Sequence, residues 1–258
     1  MCDLSADIPV FNRRFDIVVH AAGDCRPDMA HAVNHIGTRN LCKGIETSPP
    51  RQLVYISTVQ VYGLDEGEDI DETVKPMPKT DYGISKFRAE EYLRQWCSER
   101  NVVLSILRAP LIMGTGMKGT LRSMVNGIYR GYYFHIKGND ARRSIIHAVD
   151  VASAARLIAP AGGTFNISDR VHPLIHDLGE ALAHRIGGKR IYTLPPAIVK
   201  FAARLGDRFP AIPFSSKKYS QLATTLTFNS DAISKVINWH PHDVVNYLLT
   251  HNYDENSL

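Results

Sequence analysis

Tyr82 and Lys86, in the run Tyr82-Gly-Ile-Ser-Lys86, are the residues whose spacing most directly implies chemistry. On a helix, positions four apart share one face, and an ammonium beside a phenol favours the phenolate. Lys86 is therefore expected to lower the pKa of Tyr82 and make it an acid/base usable near neutral pH. The same spacing also describes an ordinary packed pair, so the reading depends on what stands beside it. Ser57 and Thr58 end a predicted central strand about one crossover earlier. A hydroxyl there would hold a substrate hydroxyl or carbonyl oxygen within reach of the phenol; otherwise the two are small polar residues closing a strand.

Those side chains need a scaffold, and the hydrophobic pattern supplies one. Phe15–Val19 is a nearly continuous apolar run ending in His20-Ala21-Ala22-Gly23, the pattern of a buried parallel strand followed by a small-residue turn. Helix is expected over Met29–Gly44, strand over Gln52–Ile56, helix over Tyr82–Trp96 and strand over Val102–Leu107. This rhythm predicts a parallel α/β sheet with right-handed crossovers. Later come a helix at Leu121–Tyr129, extended chain at Ser144–Ala148, a helix at Asp150–Ile158 and a strand at Thr164–Ile167. Helices are expected to dominate after Pro173, around Ile175–Arg185, Ala197–Leu205 and Ser230–Ile237.

The expected class is α/β: a Rossmann-like parallel sheet truncated at its N-terminal strands, with a smaller C-terminal substrate-binding lobe over the carboxyl ends of the strands. The core is assigned to residues 1–112 and 141–168 and the lobe to 113–140 and 169–258. A complete dinucleotide-binding domain opens with a strand, a glycine-rich turn and a helix whose N-terminus receives a pyrophosphate. No such turn follows the first strand here, and none of dinucleotide type is expected in the chain. Two readings stay open: the sequence starts downstream of the true start, or it is a degenerate relative. Either way the strand at Phe15–Val19 should present an exposed hydrophobic edge.

With 258 residues and 44% apolar content the chain can bury a large core, and its net charge of +4 is spread rather than blocked. No basic stripe with a reading element suggests nucleic acid. Cys2, Cys25, Cys42 and Cys97 lack metal-ligand or disulfide-framework spacing, so reduced, mostly packed thiols are expected. The histidines and carboxylates form no ligand cluster along the sequence, so no metal is expected. No leader-like segment or bilayer-length apolar run occurs, and the expectation is a soluble cytoplasmic protein without membrane partners.

In order, His20-Ala21-Ala22, Ser57-Thr58-Val59-Gln60-Val61-Tyr62-Gly63, Tyr82-Gly-Ile-Ser-Lys86 and Leu107-Arg108-Ala109-Pro110 with Gly114 and Gly116 form a specific set. Arg143-Ser-Ile-Ile-His147 with Asp150, Leu226-Thr227-Phe228 and Trp239-His240-Pro241 complete it. The set resembles the extended short-chain dehydrogenases/reductases, the NAD-dependent epimerase/dehydratase family, from Asp3 onward. The resemblance implies Thr58 as the active-site hydroxyl, Tyr82 as acid/base and Lys86 as the residue that tunes it and holds the nicotinamide ribose. It implies cofactor contacts at Asp3 (adenine), Ala21, Ala22, Asn34, Ser57, Tyr82, Lys86 and Pro110. Substrate contacts are implied at Thr58 and Lys118 and at Arg143, whose guanidinium suits a diphosphate. His147 is read as a packed structural histidine.

The implied cofactor is NAD, with NADP open, and the implied partner a nucleotide-sugar, UDP-linked by preference, in a homodimer formed through Met29–Gly44 and Tyr82–Trp96. Dehydratases of the family continue their Ser-Thr segment with Asp-Glu, whereas Val59 and Gln60 cannot ionise for that elimination. Leu111, where many relatives carry a nucleotide-contacting asparagine, and the Gly114–Gly119 loop resemble the branch of 4-epimerases and 4-keto-sugar reductases for N-acetylated hexoses. The first choice is C4 epimerisation through a 4-keto intermediate. A 4-keto-sugar reductase and a non-catalytic binding protein remain as alternatives.

Overall fold

The computed structural model describes residues 2–209 and 214–251. Parts of the expected domain ranges at 1, 210–213 and 252–258 lie outside the described residues. The N-terminal half alternates as predicted: β1 (Ile17–His20), α1 (Pro27–Ala30), a π-helical turn (His31–Ile36), α2 (Gly37–Gly44) and β2 (Gln52–Thr58). A 3-10 turn (Val59–Tyr62), β3 (Gly67–Ile70), α3 (Asp81–Glu99), β4 (Val103–Ala109) and β5 (Leu111–Met113) follow.

Four parallel strands form the central sheet in the order β1-β2-β4 and then a strand from later in the chain, β8. Before it come α4 (Gly119–Tyr129), β6 (Phe134–Ile136), β7 (Ile145–His147) and α5 (Ala148–Ile158), and β8 itself is Gly163–Asn166. Period-two alternation sends Leu53, Tyr55 and Ile106 into one apolar cluster with Leu93 and Trp96 of α3 and Cys42 of α2. Val54, Leu107 and Ala109 go to the opposite face, against Val151, Ala154 and Ile158 of α5. Both faces are covered, which is why these strands read as continuous apolar runs. Burying a side chain such as Leu53 or Leu93, both fully buried, contributes about 1.5–3 kcal/mol.

The rest of the chain builds a smaller lobe: α6 (Ile175–Arg185), β9 (Tyr192–Leu194), α7 (Pro196–Arg208), α8 (Ser216–Ala223), β10 (Leu226–Phe228), α9 (Asp231–Ser234) and α10 (Val244–Thr250). Met124 and Val125 of α4, Leu178 and Leu182 of α6 and Leu248 of α10 make its core. Three two-stranded parallel ribbons, β3 with β10, β5 with β7 and β6 with β9, tie it together. The lobe is thus less helical than expected: three-residue strands are too short to leave a periodic signal. The helix expected over Ser230–Ile237 is only the single turn of α9.

The β1 edge of the sheet is open, with Ile17 and Val19 46% and 49% exposed, as the edge argument expects. Cys42 and Cys97 are packed, but Cys2 and Cys25 are exposed, which corrects the expectation of mostly packed thiols. His147 is buried as expected; its Nδ1 accepts from Val149 N and caps α5. Among the described residues no helix is long and apolar enough to cross a membrane.

Candidate active site

Thr58 is the last residue of β2, and its hydroxyl oxygen accepts from Gln60 N to cap the 3-10 turn. That turn closes at Gly63, whose φ of +69° and contact with the Met77 carbonyl admit no side chain. The chain then returns to α3, where the Thr80 side chain caps Gly83 N at 3.0 Å and sets Tyr82 in the first turn. Tyr82 is half-buried, and the Thr58 hydroxyl lies close enough to its phenol to oppose the effect of burial on it. Thus β2 and α3 bring the two predicted groups together.

Lys86 shares the Tyr82 face of the helix but does not act on it as expected. Its buried Nζ donates to Ile56 O at 2.6 Å and lies 4.2 Å from the centre of the Tyr55 ring. Burial pushes its pKa down to about 7, with Glu90 opposing. The phenol of Tyr82 is pushed up to about 12 by burial, with the Cys25 thiol acting in the same direction and Thr58 opposing. The i, i+4 rule puts the lysine on the expected helix face; dehydration of the phenol, which spacing does not report, sets the direction of its shift.

Around this pair several polar groups are bonded to one another, while the buried Tyr55 hydroxyl has no hydrogen-bond partner among the described residues. Asn34, fully buried in the π-helical turn, accepts from Asp24 N at 2.9 Å and donates to Asp24 O and Ser85 Oγ at 2.8 and 2.9 Å. His20 meets Thr38 Oγ1 through Nε2 at 2.8 Å. That hydroxyl already donates to Asn34 O, so His20 Nε2 is the donor. Burial, then the Lys86 charge, pushes His20 down to about 3, so it stays neutral.

Ser57 does not join the Thr58 side: its hydroxyl donates to the buried Glu90 carboxylate at 2.6 Å. Glu90 also receives Arg108 through Nε and Nη2 at 3.1 and 2.7 Å and Arg94 at 2.9 Å. This network fixes β2 and β4 to α3 behind the site. Sequence reasoning missed it, although an acid mid-helix and an arginine inside an apolar strand are buried-pair signals.

Thr58 and Pro110 line a cavity of ≈ 330 Å³ that also takes in Gln60, Leu111, Arg143 and Lys217. Arg143 is half-buried, its guanidinium donates to Gln221 O, and burial lowers its pKa. Lys217 and Lys79 are further cations on this cavity that sequence reading missed, because isolated lysines give no signal until the fold gathers them. Lys118 is exposed and is not among the residues lining the cavity; its charge instead helps hold the Asp24 carboxyl, at about 2, mainly after Arg26. Asp3 is exposed, its Oδ1 accepting from Ser5 N and Ser5 Oγ at 2.9 and 2.7 Å, bonds that lower its pKa.

Ala21 and Ala22 are exposed at the carboxyl end of β1. A Cβ added at Gly23 would lie 3.3 Å from Asn34 Oδ1 and 3.7 Å from Lys86 Nζ. Small residues around a lysine and an asparagine leave backbone open to a flat nucleoside, so this end of the site fits a nicotinamide ribose. The expectation that the chain holds no G-x-G-x-x-G needs correction: Gly114-Thr-Gly-Met-Lys-Gly119 has that spacing, and each glycine has positive φ, 155°, 75° and 63°. It joins β5 to α4, outside the four-stranded sheet, and so is not the opening turn of the core.

Comparison with known proteins places this arrangement. Over 146 residues the chain is 30% identical to an Escherichia coli O157:H7 N-acetyl-alpha-D-glucosaminyl-diphospho-ditrans,octacis-undecaprenol 4-epimerase, covering 53% of this chain and 43% of that protein. A Vibrio cholerae UDP-glucose 4-epimerase is 27% identical over 140 residues, 49% of this chain and 42% of its own. The chain thus spans about half the length of the curated relatives it matches.

The fold is shared with a Thermotoga maritima UDP-glucose 4-epimerase solved with UDP-glucose, at TM-score 0.68 and 20% identity over 91% of this chain and 75% of that one. It is also shared with the RMD protein of Pseudomonas aeruginosa complexed with NADPH, at TM-score 0.71 and 20% identity over 96% and 85%. Residues 1–168, which carry the central sheet and all three predicted catalytic side chains, match the model of the family described as NAD dependent epimerase/dehydratase, and the chain belongs to that family.

Proposed function

We propose that this protein epimerises C4 of a nucleotide-linked hexose, with a UDP-linked N-acetylhexosamine as the first substrate to test. The observation that carries the reading is the Thr58–Tyr82 hydroxyl pair beside buried Lys86, next to a cavity that Arg143 lines. Tyr82, as phenolate, takes the proton of the sugar 4-hydroxyl, and Thr58 holds that oxygen in place. The cofactor, NAD by preference with NADP open, supplies hydride exchange with C4. Ala21, Ala22, Asn34, Lys86 and Pro110 would hold its nicotinamide end, and Asp3 its adenine end.

Returning the proton from Tyr82 as hydride re-enters on the other face gives the epimer. Burial raises the phenol, so the ionised form forms only while an adjacent cation or donor compensates, and Lys86, four residues on along the same helix, is the group assigned that part in this reading. Arg143 binds the diphosphate through paired charge-assisted hydrogen bonds. The E. coli relative acts, by its name, at C4 of an N-acetylglucosaminyl-diphospho-undecaprenol, which supports the N-acetylhexosamine, the 4-position and the diphosphate, while the nucleotide rests on the UDP-glucose 4-epimerase relative. Val59 and Gln60, both on the cavity wall, offer no ionisable group for a dehydratase elimination.

A 4-keto-sugar reductase uses the same residues with the proton running from Tyr82 to the ketone oxygen. A non-catalytic binding protein is the third reading, which the intact Tyr82 and Lys86 disfavour. The same reading assigns the cofactor core to residues 1–112 and 141–168, the substrate lobe to 113–140 and 169–258, a homodimer through the α1–α2 and α3 helices, and a cytoplasmic location.

The test follows product stereochemistry and nicotinamide absorbance together, with UDP-GlcNAc, UDP-Glc and 4-keto nucleotide-sugars. Epimer formed without net cofactor consumption supports the proposal. Stoichiometric NAD(P)H oxidation selects the reductase, and binding without turnover of any of them selects the third reading.

A further inference from the structure

Away from the Tyr82 site, the fold gathers three metal-ligand side chains that lie far apart in sequence. His135 is on β6, and His176 and Glu180 are one turn apart on α6. One ligand atom from each lies within 4.8 Å of the others. We propose that His135, His176 and Glu180 bind a borderline divalent transition metal, Zn²⁺ in the first instance, which clamps β6 to α6 in the substrate lobe.

Four features support a built site rather than a chance cluster. His135 is 4% exposed and already meets Glu180 Oε1 through Nε2 at 2.8 Å. The His135 and His176 rings stack at 4.2 Å, 33° apart, an arrangement that two imidazolium cations would oppose and two neutral ligands accept. His176 Nδ1 lies 3.2 Å from Asp177 Oδ1, so a carboxylate holds one ring nitrogen and leaves Nε2 for a metal, the outer-shell pattern of metal-bound histidines.

The fourth feature is Gly179. Glycine inside a helix costs roughly 1 kcal/mol relative to alanine, and a Cβ here would come within 2.7 Å of His135 Cε1. The residue that weakens α6 is the one that lets the imidazole seat against it. A cavity of ≈ 10 Å³ opens beside the rings, bounded by Tyr133, Asn139 and Leu222, about the size of one water. Two imidazoles and one carboxylate are a donor set for Zn²⁺, Co²⁺ or Ni²⁺ rather than for Mg²⁺ or Ca²⁺. Tetrahedral ligands at about 2.0–2.1 Å from Zn²⁺ sit roughly 3.3 Å apart. The His135–Glu180 pair must therefore open slightly and His176 close in, with water in the fourth position.

The experiment uses the whole chain carrying Cys2→Ser and Cys25→Ser, which removes the two exposed thiols as competing ligands, after chelator treatment and desalting. Co²⁺ is titrated while its visible d–d bands are followed, Zn²⁺ is used as competitor, and the thermal midpoint is recorded with and without Zn²⁺. One equivalent of Co²⁺ bound with nitrogen/oxygen-type bands, displaced by Zn²⁺, together with a raised midpoint, is the expected result. His176→Ala with Glu180→Gln, both positions exposed, should keep the fold and weaken binding by roughly a hundredfold or more, beyond what loss of an outer-shell partner does. Gly179→Ala should weaken it through His135. No saturable equivalent of Co²⁺, or unchanged affinity in the double variant, would overturn the site.

Discussion

Replacing Lys86 by methionine should flatten the pH dependence of stability in one defined window. The Lys86 ammonium is buried against Ile56 O and Tyr55, and burial pushes its pKa from 10.5 down to about 7. Between those values the unfolded chain binds the proton that the folded chain has released, so stability rises with pH. From about pH 7 to 8.5 the gain integrates to about 1.7 kcal/mol, an upper value because the surroundings relax around the charge.

Other groups titrate at the edges of this window, and comparison with the variant, which keeps them all, cancels their contribution. Burial raises Asp169 to about 7, which costs stability as pH climbs towards that value, and His20, lowered to about 3, has finished its effect by the usual histidine range. Above about pH 8.5 the Cys42 and Cys97 thiols, pushed up to about 12, pull the other way because unfolded thiols ionise first. Urea unfolding at the two ends of the window, in wild type and Lys86→Met, reads the slope directly. Wild type should gain about 1.7 kcal/mol more than the variant across the window. Equal slopes would mean that Lys86 stays fully charged in the folded protein, and the electrostatic account of the site would be wrong.

Other outcomes follow from single contacts. Glu90→Gln leaves the Arg108 guanidinium buried without its anion and should cost about 3–5 kcal/mol, read from the urea midpoint. Gly63→Ala forces a Cβ to 1.9 Å from Met77 O at a φ of +69°, and should cost more than about 1 kcal/mol by the same measurement. Arg143→Met should raise KM for a diphosphate-linked sugar by about tenfold or more and change kcat less, as expected for loss of a charge-assisted bond made equally in ground and transition states.

The central sheet was legible because its strands are buried on both faces and its helices are long. Gln52–Thr58 and Asp81–Glu99 extend the predicted Gln52–Ile56 and Tyr82–Trp96 by only a few residues at the ends. Ile175–Arg185 agrees to the residue. What escaped has local or long-range causes. β6 and β9 are three residues each and have no period to read, and α10 carries only seven. The π-helical turn that presents Asn34 leaves the apolar spacing of its helix almost unchanged.

The site was half visible. Tyr82, Thr58 and Lys86 announce themselves by order and spacing, and the fold does gather them. The direction of the Tyr82 shift did not show, because spacing reports which groups are near and says nothing of how much water each has lost. Ser57 looked equivalent to Thr58, yet strand alternation turns it towards Glu90. Lys118 was expected, from its place in the Gly114–Gly119 loop, to approach the same nucleotide as Arg143, and the fold leaves its charge acting on Asp24. His135 lies 41 residues away from His176 along the chain, so no motif search would join them.

The most direct measurement on the central claim is the turnover of Tyr82→Phe on the nucleotide-sugar that the wild-type protein converts, with nucleotide binding measured on the same preparation. A phenol that moves the proton predicts loss of turnover with nucleotide affinity held within a few-fold. Full turnover without that hydroxyl would contradict it.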